Sequence, residues 1–412
     1  MYRVLVVLIA LTGCGRVGFD GVAADALACN GGDRSMLDPD TGDCYIAFDT
    51  PTSWADAETA CGVLDAHLSS PHSNAENTLV LAIQPARSWL GGTDAGHEDF
   101  FTWTSDEPLD YADWTTSEPN HGMEGCAQMI GASANGEWNE AECPLEYPFS
   151  CIRRAERPPQ MLGAWGAGTV VQDSTLDEQD PAISPNGLEL VFALQMPNGA
   201  TSDLYVMTRT TRDAAWSAPT KMDINVAGSN QSEPRFSSDG LRLYFGSNAG
   251  SSYDVYYVDR ERLDKPWGPR QALAQVNSSA TIDKFITVCT GGYYLVVHAA
   301  DAGALEHVYS GRLGVNAPDV EETMLENIGR TTSPLLMPDC KTAYITSSDG
   351  TNLDITVSTR TAVGAPWTPP ATVDIDTPDP ESDPAVTGDQ REMYFVKKAS
   401  INSSTGLFVT KR

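Results

Sequence analysis

Asp180-Pro181-Ala182-Ile183-Ser184-Pro185-Asn186-Gly187, leading into Leu190-Val191-Phe192, decides how most of this chain is read, because it recurs. Glu233-Pro234-Arg235-Phe236-Ser237-Ser238-Asp239-Gly240 leads into Leu243-Tyr244-Phe245, Ser333-Pro334 into Tyr344-Ile345, and Asp383-Pro384 into Tyr394-Phe395. A degenerate copy, Asp283-Lys284-Phe285-Ile286, fills the gap. Positions 181, 234, 284, 334 and 384 then align, separated by 53, 50, 50 and 50 residues. A period of that length marks blades or a solenoid.

Each unit reads as a strand, an Asn-Gly or Asp-Gly turn, an apolar β-rich strand, and a third strand such as Asp203-Leu204-Tyr205-Val206 or Asp254-Val255-Tyr256-Tyr257. A fourth strand follows Trp216, Trp267 and Trp367, whereas the last repeat ends at Leu407-Phe408-Val409 without one. Trp165-Gly166-Ala167-Gly168-Thr169-Val170-Val171, 51 residues before Trp216, supplies it. Closing the last blade with an N-terminal strand leaves no broad exposed edge, so the expectation is an all-β five-bladed propeller over residues 163–412. The repeats resemble β-propellers of the periplasmic TolB type, blade three least.

Asp180, Glu233, Asp283 and Asp383 recur at blade openings. Convergent carboxylates could hold a cation or serve as the acid and nucleophile of a glycoside hydrolase. The simpler account is that each accepts backbone hydrogen bonds at a turn. No Ser-His-Asp or Cys-His set accompanies them, and His298 and His307 fall in the degenerate blade.

Working outward, Arg153-Arg154-Ala155-Glu156-Arg157-Pro158-Pro159 has the composition of a linker, taken as residues 155–162. Ahead of it the chain changes character. Six of the nine cysteines, Cys29, Cys44, Cys61, Cys126, Cys143 and Cys151, crowd into this part, with Cys14 before them and Cys289 and Cys340 far downstream. Six clustered cysteines in an exported chain read as a three-bridge framework, for which spacing alone leaves 15 connectivities. Cys289 and Cys340 fall near corresponding turns of blades three and four, where an exported protein tends to pair them.

The 412 residues carry 26 Lys+Arg against 56 Asp+Glu, a formal charge of −30. Such a surface repels phosphate backbones, which excludes nucleic acid as a partner. Residues 1–13 carry one cation, Arg3, and an apolar run too short to span a bilayer. Leu11-Thr12-Gly13-Cys14 resembles the bacterial lipoprotein box, in which the cysteine is acylated. The resemblance implies a signal peptide over 1–13, lipid at Cys14, a tether over 14–27, and an outer-membrane or cell-surface location held by the lipid alone.

Over residues 28–154 the landmarks come in one order. Cys44-Tyr45 precedes Trp54-Ala55-Asp56-Ala57, whose apolar positions continue at helical spacing to Cys61. A second amphipathic stretch covers 74–83, followed by Trp89-Leu90-Gly91-Gly92, Trp103, Trp114, Glu118-Pro119-Asn120, Cys126, Trp138-Asn139, Cys143 and Cys151. This order resembles the α+β C-type lectin-like domain in its long form. The family implies bridges Cys29–Cys44, Cys61–Cys151 and Cys126–Cys143.

It also implies a Ca2+ site. The ion takes six to eight oxygen ligands in irregular geometry. A cis Glu118–Pro119 bond would turn Glu118 and Asn120 toward one ion, with Glu124, two before Cys126, and Asn139 and Glu140, after Trp138, completing the set. Glu118, Asn120, Glu124 and Asn139 would also touch the sugar, and the Glu-Pro-Asn order implies a mannose-like glycan rather than galactose. Glu140 departs from the family, which has Asp there. Asp94 and Glu98 match an auxiliary calcium site, but His121 and Gly125 stand where acids belong, so no complete second site is expected. His67 and His72 are read as packing residues.

Together these readings give a multidomain, non-enzymatic, surface-anchored lectin whose propeller serves as scaffold or docks a protein partner. The alternatives are a propeller glycoside hydrolase with a lectin targeting domain, and a calcium-independent protein-binding adhesin.

Overall fold

The computed structural model describes residues 29–155 and 164–412, except positions 40, 95–100, 106, 108, 110, 117, 121–123, 173, 175, 197–200, 251, 279–281, 300–305, 323, 324, 326–331, 349–351, 376–378 and 399–404. The expected leader, Cys14 and the tether lie outside the described residues, as do Glu98, His121 and most of the linker. Among the described residues, no helix is long and apolar enough to cross a membrane.

The N-terminal unit is α+β. Its strands are β1 (Arg34–Leu37), β2 (Cys44–Thr52), β3 (His67–Leu68), β4 (Ser88–Thr93), β5 (Thr102–Trp103), β6 (Cys126–Met129), β7 (Trp138–Ala141) and β8 (Tyr147–Arg153), ordered β1-β2-β8-β4-β6-β7 with β3 on β8 and β5 on β4. Helices α1 (Trp54–Gly62) and α2 (Asn74–Ile83) start where a serine can cap them. Ser53 accepts from the Asp56 N–H at 3.3 Å and Ser73 from the Glu76 N–H at 3.2 Å, each satisfying a donor that a helix leaves open.

Cys29–Cys44, Cys61–Cys151 and Cys126–Cys143 are bonded, and so is Cys289–Cys340. The 90-residue separation of Cys61 from Cys151 makes that bridge the most constraining, about 4–5 kcal/mol on the chain-entropy model.

Among the described residues, five four-stranded antiparallel sheets make up the rest. Their first strands, Asp177–Ile183, Gln231–Phe236, Ile282–Val288, Thr332–Leu336 and Glu381–Val386, pack in sequence, and the first also packs on the last. The ring therefore closes. β9 (Thr169–Gln172) pairs with the final strand, Val170 opposite Phe408 and Thr169 opposite Val409, as the outer strand of blade five. It begins later than expected, because Trp165 is occupied by Arg412, whose guanidinium lies 4.1 Å from the indole centroid.

Every blade opens with the same bulge. Two residues interrupt the ladder between the first two strands, at 180–181, 233–234, 285–286, 333–334 and 383–384. The first of each pair has positive φ: Asp180 49°, Glu233 59°, Phe285 53°, Ser333 51° and Asp383 55°. The second is Pro in four blades, a residue a bulge tolerates because no ladder N–H is needed there. Blade three corrects the sequence alignment by two residues. Its bulge is Phe285-Ile286, so Lys284 is not the proline equivalent and Asp283 is not at the ring position. Without proline or acid, only the apolar pattern carried the register, and it tolerates such a slip. Asp283 instead meets His298 Nδ1 at 2.7 Å.

The ring carboxylates bridge to a neighbouring blade, Asp180 and Glu233 to the next one and Asp383 to the one before it. Asp180 accepts from the Glu233 N–H and Glu233 from the Phe285 N–H, both at 3.2 Å, and the Ser333 hydroxyl donates to Asp383. Burial, then the neighbouring acids, push the Asp180 and Glu233 carboxyls well above their ordinary range, opposed by Arg235 and Lys284.

Two outcomes follow. Trp165→Ala in the full chain should destabilise the propeller by about 3–5 kcal/mol in calorimetry, comparably with Trp367→Ala in blade four; an open array would leave Trp165→Ala nearly silent. Because the raised acids bind protons more tightly folded than unfolded, their stabilisation is complete below the unfolded carboxylate pKa of about 4 and is lost as pH rises through the elevated folded values. Melting temperature should fall from pH 5 to pH 9, and less so in Asp180→Asn and Glu233→Gln, which differential scanning calorimetry across that range would read.

Candidate functional site

The site grows from Trp138. Its indole is wholly buried, donates from Nε1 to Asn77 Oδ1 at 2.9 Å, and meets the rings of Trp103, Tyr111 and Trp114 edge-on at 5.6, 5.6 and 5.5 Å. The Asn77 amide in turn donates to Asp113 Oδ2 and the Gly136 carbonyl, both at 3.1 Å. Backbone bonds from Trp138 N–H to Asp113 (2.7 Å) and from Thr115 N–H to Trp138 (2.9 Å) strap segment 113–115 alongside. That strap delivers the next loop.

The Glu118–Pro119 bond is cis. Glu118 Oε2 accepts from the Glu140 N–H at 3.3 Å, and Glu118 Oε1 from Asn120 Nδ2 at 2.9 Å. β7 pairs Asn139 with Gln128 and Glu140 with Ala127. Strand alternation therefore separates these neighbours: Asn139 is half-exposed, while Glu140 is fully buried. The Asn139 amide donates to the Glu140 carbonyl. Glu124 is half-buried at the head of β6, next to Gly125, whose N–H donates to Ala141 at 3.2 Å. The structure thus links Glu118 to Asn120 through their side chains and to Glu140 through its backbone N–H, with Asn139 on the other face of β7 and Glu124 at the end of the same strand pair.

The donor chemistry fits a calcium ion, since all five residues carry side-chain oxygens and three are carboxylates. The arrangement has the acid of Glu118 occupied by two N–H donors. Among the described residues, no three His, Cys, Asp or Glu side chains stand as a metal set. Asp94 is buried against Gly125, where an added Cβ would lie 2.8 Å from Asp94 Oδ1. A side chain at 125 would make the Asp94 carboxylate shift.

The two histidines are ion-paired, His67 on the surface and His72 half-buried. His67 Nδ1 meets Glu58 at 2.6 Å, and His72 Nε2 lies 3.3 Å from Glu107. Burial alone would raise the Glu107 carboxyl, but His72 and the Arg154 charge hold it well below the usual range. Arg154 also pairs with Asp43 and Glu76 at 3.1 and 2.9 Å, pinning the exit toward the linker.

Sequence reasoning missed Asn77 and Asp113. Asn77 shares the buried face of α2 with Val80 and Ile83, and a polar residue at an apolar-face position was the available signal.

This α+β fold, with a proline loop laid against a Trp-Asn strand, is that of a C-type lectin-like domain. Residues 50–153 match the Lectin C-type domain family, and this segment is a C-type lectin domain. It is 29% identical over 111 residues to the type-2 ice-structuring protein of Hemitripterus americanus, covering 27% of this chain and 68% of that protein. It is 35% identical over 103 residues to the low affinity immunoglobulin epsilon Fc receptor of Mus musculus, covering 24% of this chain but only 30% of the receptor. Among solved structures, the cow C-type carbohydrate-recognition domain of CD23 in the presence of GlcNAc2Man3 oligosaccharide is 30% identical, with 31% of this chain and 98% of that one covered and a TM-score of 0.28.

Asn77→Ala removes the acceptor of the buried Trp138 N–H and should destabilise the domain by about 1–3 kcal/mol, measured by thermal unfolding.

Proposed function

We propose that this chain is an exported, surface-anchored lectin that binds a mannose-type glycan through Ca2+ held by Glu118, Asn120, Glu124, Asn139 and Glu140. The observation that carries this reading is the Glu118-Pro119-Asn120 loop, which sets Glu118 on the Glu140 backbone and Asn120 on Glu118. When bound, Ca2+ would supply a hard cation able to take two neighbouring sugar hydroxyls. Around it, Glu118 is an acceptor only, while the amides of Asn120 and Asn139 can donate, so their order fixes which hydroxyl gives and which takes a hydrogen bond. Glu140 reaches one methylene further than the usual Asp, which calcium's irregular coordination absorbs.

Four disulfides support export to an oxidising compartment. Anchoring through lipid at Cys14 and the TolB type of the propeller belong to the same proposal. The propeller acts as scaffold or protein-docking platform, not as a hydrolase. What supports this is the employment of Asp180, Glu233 and Asp383: all are buried or nearly so and engaged across blade junctions.

A glycan array read with calcium and with chelator tests the reading. Mannose-terminated glycans should be retained with calcium and lost with chelator, and Glu118→Gln combined with Asn120→Asp should move preference toward galactose. Chelator-insensitive binding to a protein and to no glycan would establish the adhesin instead.

A further inference from the structure

The Glu118–Pro119 loop does not face open solvent on every side. It forms one wall of a 290 Å³ cavity whose opposite wall is the turn end of propeller blades two and three. The two units are locked there. Arg262 of blade two pairs with Glu137 and lies 3.9 Å from Asp113, the residue that straps the loop to Trp138. Leu241 and Leu263, from two turns of the same blade, pack into the lectin core with Leu109 and Trp114. Burial raises the Asp113 carboxyl, and the Arg262 charge opposes that rise.

The cavity has two kinds of surface. Phe101, Leu109 and Val288 give it apolar faces, and Phe101 is held by Trp114 at 4.8 Å between ring centroids. Arg242 and Asp259 give it a polar one. Those two are fixed in advance: Arg242 Nε donates to Asp259 Oδ1 at 2.6 Å, Nη2 to Oδ2 at 3.1 Å, and the guanidinium lies 4.2 Å from the Tyr257 ring centroid. Planar, fixed donors and acceptors opposite a C–H surface are what a pyranose needs, since its hydroxyls lie round the rim and its C–H groups on the faces. A volume of 290 Å³ stands at the lower end of the ligand-pocket range of roughly 300–1,000 Å³ and has room for one ring, not a chain.

We propose that the propeller is the second half of the glycan site: a sugar next to the one held at Glu118 and Asn120 occupies this cavity, with its hydroxyls on Arg242 and Asp259. The ligand is then at least a disaccharide, and the chamber passes only a chain end. This deepens the lectin reading and rests on it. Such a site has a polar wall ordered before binding, so little rotamer entropy is lost on capture.

The experiment is calorimetric titration of the full chain, in calcium, with methyl α-mannoside and with α-mannobiose. The disaccharide should bind at least tenfold more tightly. Arg242→Ala should reduce that advantage below threefold and leave the monosaccharide unchanged. Ser238→Trp, which fills the cavity from a half-buried turn position without breaking an ion pair, should do the same if Arg242→Ala proves unstable. Equal affinities for the two sugars in the unmodified chain, or an advantage that survives both substitutions, would overturn the proposal while leaving the lectin reading in place. Failure of both sugars to bind would overturn the mannose-type reading and this inference with it.

Discussion

Each blade is held by one arginine laid on one aromatic ring. Arg209 on Trp216, Arg260 on Trp267, Arg312 on Tyr293, Arg360 on Trp367 and Arg412 on Trp165 stand 4.1 to 4.5 Å from the ring centroids. In every case Nε donates to the carbonyl of the blade's first turn, at Gly187, Gly240, Gly291, Cys340 and Gln390, within 2.7 to 3.0 Å. The arginine ends the third strand, the carbonyl belongs to the first hairpin, and in four blades the ring leads into the fourth strand. One side chain thus ties the hairpin to the outermost strand, which in blades one to four is two residues long and too short to hold by its ladder alone. A desolvated stack of this kind contributes about 1–2 kcal/mol and adds the satisfaction of a turn carbonyl.

The same arginines pass the restraint round the ring. Arg209 pairs with Glu392 of blade five at 2.6 Å and Arg260 with Glu189 of blade one at 2.5 Å. Closure then needs no separate device, since the last arginine simply takes the first tryptophan. Where the Trp is missing, in blade three, Tyr293 from the first hairpin replaces it, and the Cys289–Cys340 bridge ties this blade to the next. The repeat that departs most from the sequence pattern thus shares the covalent staple with its neighbour.

The tryptophans, prolines and cysteines made the architecture legible because each has a restricted structural use. The arginines were not, although Arg209, Arg260, Arg360 and Arg412 recur at about the blade period. An arginine reads as a solvated surface residue, and only the third dimension shows it lying on a ring. In the lectin domain, α2 and all three bridges matched the sequence reading, and the Glu118–Pro119 bond is cis as the resemblance implied. Asn77 and Asp113 were hidden because their role is to satisfy an indole from another element. Contact between the units was also hidden. Leu263 stands three after Arg260, where blade one has Arg212 three after Arg209, and an apolar residue at a turn carries no mark of what covers it.

This use of cations bears on what the molecule can bind. Of the 26 Lys and Arg, nine among the described residues lie over aromatic rings, Arg242 among them and also paired with Asp259, while Arg262 joins the two units and Arg154 pins the linker exit. Cations committed to such contacts do not offset the surface field outright, and a formal charge of −30 leaves that field strongly negative. Salt screens it beyond about 10 Å but leaves the half-buried clamps largely untouched. An anionic polysaccharide would therefore be repelled on approach and find few uncommitted cations on arrival. A neutral glycan meets neither obstacle, and a mannose-type end is one. On the proposed lectin reading, the negative field that disfavours nucleic acid also disfavours an anionic glycan.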